Sequence, residues 1–174
     1  MAEAPITAAQ AATAMEVVLE QERELRYPRR FGAREALELG TAAARLAADF
    51  AETYTVTIIR EEDGQVAYQW LGEGKGARNL AFAAGKRRAA LDAGHASPWQ
   101  QLEAIAQERP LEDVWARVPE VCPSCGAFPI RAGDDWVATI CVSGLHEGLD
   151  HEVIVRALEQ VLSRRAPRFA VTVA

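Results

Sequence analysis

A chain of 174 residues with 49% hydrophobic and 25% charged residues is long enough for one folded domain, too short for a second, and far from the disordered class. Its net charge of -6, with Arg and Lys dispersed among acids, disfavours duplex nucleic acid and anionic membrane as partners, since both attract concentrated positive charge. Three cysteines, an odd number, argue against a disulfide framework; with an acidic N-terminus that lacks an apolar signal region, they make a cytoplasmic location the expectation.

Thr7 can cap a first helix, with Gln10 completing a capping box and Ile6 and Ala11 placed for a hydrophobic staple. Met15, Val18, Leu19 and Leu25 recur at helical spacing, and Pro28 ends the helix near Arg26. A second helix is predicted over residues 34–50. Leu39, Leu46 and Phe50 are its large contacts, and Ala36, Gly40, Ala43 and Ala47 form a strip that another element can approach closely.

Residues 54–60 and 66–70 read as strands, and Asp63-Gly64 between them signals an antiparallel hairpin. Two helices before a hairpin argue against a dinucleotide fold. The glycine-rich run 72–79 lacks the Ser or Thr of a phosphate loop after Lys75. Its glycines suit a flexible turn, or close passage of the chain by a ligand or neighbouring subunit. A helix follows over residues 78–93, with Lys86, Arg87 and Arg88 placed toward its C-terminus and Gly94 to stop it. His95 has the chemistry of a ligand contact and also of a helix cap. Ser97-Pro98 starts a short helix, and residues 107–119, broken by Pro110 and Pro119 around Leu111, Val114 and Trp115, form an irregular lobe with a short helix.

Cys122-Pro123-Ser124-Cys125 has the spacing of half a zinc site and of a dithiol pair, and equally suits buried thiols; Cys122 and Cys125 are therefore the metal candidates. Residues 128–132 and 136–142 read as a second hairpin around Gly133-Asp134-Asp135, with Cys141 a small buried hydrophobe. Asp150 can cap a last long helix, whose N-terminus favours an anion that Ser143 and His151 could orient. Residues 169–173 suit a short strand or a tail docked on a partner. The order of elements gives an α+β fold with an antiparallel sheet covered by helices.

Gly126-Ala127-Phe128-Pro129-Ile130-Arg131, then Val142-Ser143-Gly144-Leu145, then Asp150-His151-Glu152 resemble a family of small proteins in the haem-degrading-domain superfamily, GlcG-like and HbpS-like. Lys86, Gly94-His95 and Ser97, with Asn79 before them, resemble its basic helix leading into a Gly-His-Ser pattern. The two cysteines stand where the related pattern has small residues. The resemblance implies a profilin-like GlcG-type fold, a homodimer or larger assembly, and a pocket. It makes Asn79, Lys86, His95, Ser97, Phe128, Arg131, Ser143, Asp150 and His151 the ligand-binding candidates, with Arg131 fixing a carboxylate or a buried turn.

Three functions follow. The first is a small-molecule binding or sensing protein for an anionic ligand or haem. The second is a haem-degrading or related enzyme. An oligomeric interaction scaffold is the third. Binding is preferred, because the sequence presents no compelling nucleophile, carboxylate set for a metal or redox site; haem stands ahead of zinc as a cofactor.

Overall fold

The computed structural model describes residues 5–174; Glu3, part of the acidic N-terminus noted above, lies outside the described residues. Helix α1 spans Ala8–Glu24 and opens on the expected capping box, in which the Thr7 amide donates to Gln10 Oε1 (2.8 Å) and the Gln10 amide to Thr7 Oγ1 (3.2 Å). Helix α2 spans Ala33–Arg45 and tightens into a 3-10 turn, Leu46–Asp49, where the sequence suggested an unbroken helix to Phe50. Phe50 then turns extended, and its ring lies edge-on to Tyr54 at 6.0 Å.

Strands β1 (Thr55–Arg60), β2 (Val66–Leu71), β3 (Ala127–Ala132) and β4 (Asp135–Ser143) form one antiparallel sheet in the order β2-β1-β4-β3. Both expected hairpins are present, and their pairing across β1 and β4 places the exits of the second hairpin beside the start of the first. Alternation along the strands sorts the sheet into two faces. Val56, Ile58, Ile140, Val142, Phe128 and Ile130 are fully buried in the main core with α1, α2 and the last helix, α6 (Leu149–Leu162). Ala127 and Cys141 face the other way and meet Ala83 and Ala90 of α3 (Ala77–Ala93). Small residues on both sides let α3 lie close to the sheet, and Cys141 is the buried hydrophobe its surroundings implied.

The strip of small residues on α2 receives Tyr68 of β2. A Cβ at Gly40 would overlap the Tyr68 ring. Gly40→Ala therefore lowers the unfolding free energy by about 1–3 kcal/mol through overpacking, despite a gain in helix propensity, in a urea titration.

Short helices α4 (Trp99–Ala106) and α5 (Leu111–Trp115) follow α3, whose C-cap Gly94 is left-handed as expected. Three local expectations are corrected. Lys86, Arg87 and Arg88 do not simply complement the end of α3: Arg88 pairs with Asp92, Arg87 with Glu61 on the sheet, and Lys86 turns inward. Gly148, not Asp150, occupies the N-cap of α6, since the Asp150 carboxylate is taken up by buried partners described below. Residues 169–173 form no strand. Val173 is buried against this same chain, and the Ala174 carbonyl accepts from the Cys125 amide (3.0 Å) and Gln101 Nε2 (2.5 Å). Among the described residues no helix is long and apolar enough to cross a membrane.

Candidate functional site

At the end of the sheet where β4 stops, the chain leaves Ser143 with Gly144 at φ +146 and runs through residues 145–148 into α6. The glycine-rich loop after β2 and the first turns of α3 lie opposite. The resulting cleft, about 510 Å³, is lined by Lys75, Arg78, Asn79, Phe82 and Lys86 on one side. Ser143, Gly144, Leu145, His146 and Asp150 line the other, and Trp115, Cys122 and Ser124 hang over it from the lobe.

Its floor is a buried ion pair. Lys86 Nζ donates to Asp150 Oδ2 (2.5 Å) and to the Val142 carbonyl (3.2 Å), with side chains 6% and 4% exposed. Asp150 Oδ1 accepts from the Leu145 amide (3.0 Å), so the carboxylate ties α3, the end of β4 and the following loop together. Burial pushes the Asp150 carboxyl above its ordinary value, opposed by Lys86 and the backbone amides. Gly126 makes room for the pair. It sits at φ +124, and a Cβ there would come within 2.8 Å of Lys86 Nζ.

The rim carries two cations, Lys75 and Arg78, and one carboxylate, Glu52. Lys75 Nζ reaches only the Gly144 carbonyl, at 3.4 Å, and Arg78 rests 5.9 Å from the Phe82 ring. Among the described residues neither has a carboxylate within ion-pair distance, whereas Lys86, Arg87 and Arg88 all do. Asn79 sits in the first turn of α3, where Oδ1 accepts from the Gly76 amide at 3.4 Å.

Four of the sequence candidates thus converge on the cleft: Asn79, Lys86, Ser143 and Asp150. The others lie elsewhere. His95 faces α1, with Nδ1 3.0 Å from Glu22 Oε2 and its ring stacked on Trp99 at 4.0 Å, while the other Glu22 oxygen accepts from the Ala96 amide. Ser97 is a buried link: its Oγ donates to the Ser124 carbonyl and accepts from the Ala127 amide. Phe128 is core. Arg131 lies five residues along the hairpin from the cleft end, about 17 Å at roughly 3.4 Å per residue, over the Trp136 ring. His151 is buried on the opposite side of α6, where Nε2 donates to Gln21 Oε1 (2.8 Å) between Phe128 and Phe169. It lines a separate cleft of about 580 Å³ beneath residues 168–173.

The two cysteines of the CxxC part company. Cys122 lines the cleft, with Sγ 3.1 Å from Ser124 Oγ. Cys125 Sγ donates to the Val173 carbonyl, and burial pushes its thiol up to about 12, so it is held protonated. Among the described residues no three His, Cys, Asp or Glu side chains converge as a metal site, and a zinc centre on this pair would require ligands from outside the described chain.

Sequence reasoning missed Lys75, Arg78, Phe82 and His146 as cleft residues. The available signal was the glycine loop flanked by two cations, a pattern that gains meaning only when a strand exit is known to face it.

A four-stranded antiparallel sheet layered between helices, with a polar cleft at the exit of a central strand, defines an α+β protein of the profilin-like GlcG type. Residues 31–159 match the model of the HbpS-like haem-degrading proteins, and the chain belongs to that family. Among solved structures it is similar to Ybr137w protein (21% identity, 86% of this chain and 87% of that chain, TM-score 0.74). It is also similar to HbpS (25% identity, 76% and 90%, TM-score 0.57) and to PduOC in its complex with haem (14% identity, 79% and 99%, TM-score 0.64). No curated protein matches the chain.

Proposed function

We propose that the chain binds a small amphipathic anion in the cleft between α3 and the loop 143–148, with haem as the ligand that family membership puts first. The observation that carries this reading is the pair of unneutralised cations, Lys75 and Arg78, at the rim of a cleft whose deeper lysine is already paired. Phe82, Trp115 and Leu145 supply apolar contact for the body of such a ligand, and the rim cations take its carboxylates. The volume lies within the range of ordinary ligand pockets.

The residues present fit haem with one change of assignment. A bound haem would supply an iron centre that a neutral imidazole can ligate. His146 is the histidine lining the cleft, whereas His95 is engaged by Glu22 and Trp99, and His151 by Gln21. His146 would then be the residue to ligate the iron, with Lys75 and Arg78 placed to hold the propionates. Self-association, expected from the family resemblance, belongs to the same reading as a means of bracing the cleft.

Titration with haem followed at the Soret band tests this. Wild type saturates at one haem per chain. Arg78→Ala and Lys75→Ala each weaken binding about 10- to 100-fold, as expected for charged hydrogen bonds, and His146→Ala shifts the Soret maximum. His95→Ala and His151→Ala leave the spectrum of the complex unchanged. Absence of saturable binding by wild type defeats the haem assignment. The family description also favours a second reading, haem breakdown, and a complex that persists unchanged with oxygen and an electron donor rules it out.

A further inference from the structure

The loop between β4 and α6 is a wall with a cleft on each side. Ser143, Gly144, Leu145, His146 and Asp150 face the cleft beside α3, whereas Glu147, Gly148, Leu149 and His151 face the cleft beneath residues 168–173. The segment 122–125 divides in the same way. Cys122 and Ser124 line the α3 cleft, and Cys125 turns to the other side.

Residues 164–174 cover that other side as a strap. Ser163, left-handed at φ +52, ends α6, and the chain then returns along the helix without forming a helix or strand. The Ala166 amide donates to Glu159 (2.9 Å), and Arg168 clamps Glu159 (2.8 Å) and Glu152 (2.7 Å). Gln21 of α1 donates to the Pro167 carbonyl (2.8 Å), and Phe169 lies 5.2 Å from the His151 ring. The far end is seated on Cys125, whose amide donates to the Ala174 carbonyl (3.0 Å) and whose thiol donates to the Val173 carbonyl (3.3 Å). Both α1 and this strap lie outside residues 31–159, the stretch that matches the family model.

The wall is thin and its backbone is unusual. Gly144, Glu147 and Gly148 all have positive φ, at +146, +56 and +77. Glu147, a residue with a Cβ in the left-handed region, keeps that conformation only while its neighbours fix it. Gly148 abuts the strap so closely that a Cβ there would come within 2.4 Å of the Val173 carbonyl oxygen. A seated strap therefore leaves the wall no room to move away from α3, and a ligand inserted between α3 and the wall presses it in that direction.

We propose that the strap regulates the α3 cleft: seated, it holds the wall at the width of the empty cleft, and a ligand entering that cleft unseats residues 170–174. The ligand in this inference rests on the binding function proposed above; the coupling rests on the shared wall. Linkage fixes the reciprocal effect. If the ligand weakens the strap's seat, the seated strap weakens ligand binding by the same factor, so loosening the strap tightens binding.

Arg168→Ala and Phe169→Ala loosen the strap from the side away from the α3 cleft, which neither residue lines. Hydrogen exchange resolved to single amides reads the coupling without any ligand. The Cys125 amide, bonded to Ala174, reports the seat, and the Leu145 and Leu149 amides, bonded to Asp150 and to the His146 carbonyl, report the wall. Exchange at all three rises in both variants while the amides of β1 and β4 keep wild-type protection. Haem titration at the Soret band reads the regulation. Both variants bind haem about 5-fold or more tightly than wild type, and haem added to wild type speeds exchange at Cys125. A loosened seat with unchanged exchange at Leu145 and Leu149 overturns the coupling whether or not haem binds. Equal or weaker binding by the variants, or haem-bound wild type with Cys125 still protected, overturns the regulation. No haem binding by any of the three proteins overturns the haem assignment and the ligand-driven half of this proposal, and the exchange result then decides the coupling alone.

Discussion

Lys86→Met lowers the unfolding free energy by about 3–5 kcal/mol, because it leaves the Asp150 carboxylate buried without its counter-charge. Asp150 is 3% exposed, and its remaining partners are backbone amides, which cannot neutralise it. The loss is a large share of the stability of a typical domain. Removing both charges has a different outcome: Lys86→Met/Asp150→Leu regains most of the loss, since a buried pair repays its own desolvation only in part. Urea titrations of the two single variants and the double variant measure the coupling. Additive losses in the double variant would show that the pair does not act as a unit.

Acid destabilises the protein through His151 by about 3 kcal/mol between pH 6.5 and pH 4. Burial pushes this imidazole down from 6.5 to about 4, and Arg168 adds to the same direction. Above pH 6.5 the ring is neutral in both the folded and unfolded chains, so its contribution to stability is complete. Between 6.5 and 4 only the unfolded chain takes up the proton, and that contribution is lost as the pH falls; below about 4 both states are protonated and the loss levels off. Replacement by a residue that does not titrate removes this component. His151→Gln retains a donor for Gln21, and its stability relative to wild type should improve by about 2–3 kcal/mol on going from pH 7 to pH 4.5. Parallel pH profiles for the two proteins would exclude His151 as the responsible group. The position of His151 beneath residues 168–173 makes that segment the region expected to lose hydrogen-exchange protection first.

These two buried groups mark how far the sequence could be read. Asp150-His151 stands out at the start of a strongly patterned helix, and both residues were candidates for one pocket. Adjacent positions on a helix are rotated by about 100°, so a helix buried on several sides sends them to different neighbours. Asp150 reaches Lys86 and the cleft, and His151 reaches Gln21 and the far side of α6. No sequence pattern carries that division, because it depends on what packs against each face.

Local signals settled other features without tertiary help. The Thr7–Gln10 capping box, the Asp63-Gly64 hairpin and the left-handed Gly94 follow from short-range stereochemistry, and each appears where the residues imply it. The small-residue strip on α2 likewise announced a close approach, though not that Tyr68 would make it. Motif likeness grouped His95, Arg131, Ser143 and His151 by order along the chain, and their order says nothing of which end of a strand or side of a helix each occupies.

By itself, then, the sequence determined the α+β class, the two hairpins, the helix boundaries to within a turn or so, and the family, since all of these rest on local conformation and pattern. Only the tertiary structure decided that Lys86 and Asp150 form a buried pair, that Lys75, Arg78 and His146 share a cleft with them, and that Gln21 holds Pro167. Those are contacts between segments 60 or more residues apart, such as Lys86 with Asp150 or Gln21 with Pro167. Their energies come from desolvation and from the pairing of groups that meet only when the sheet and helices have closed around them.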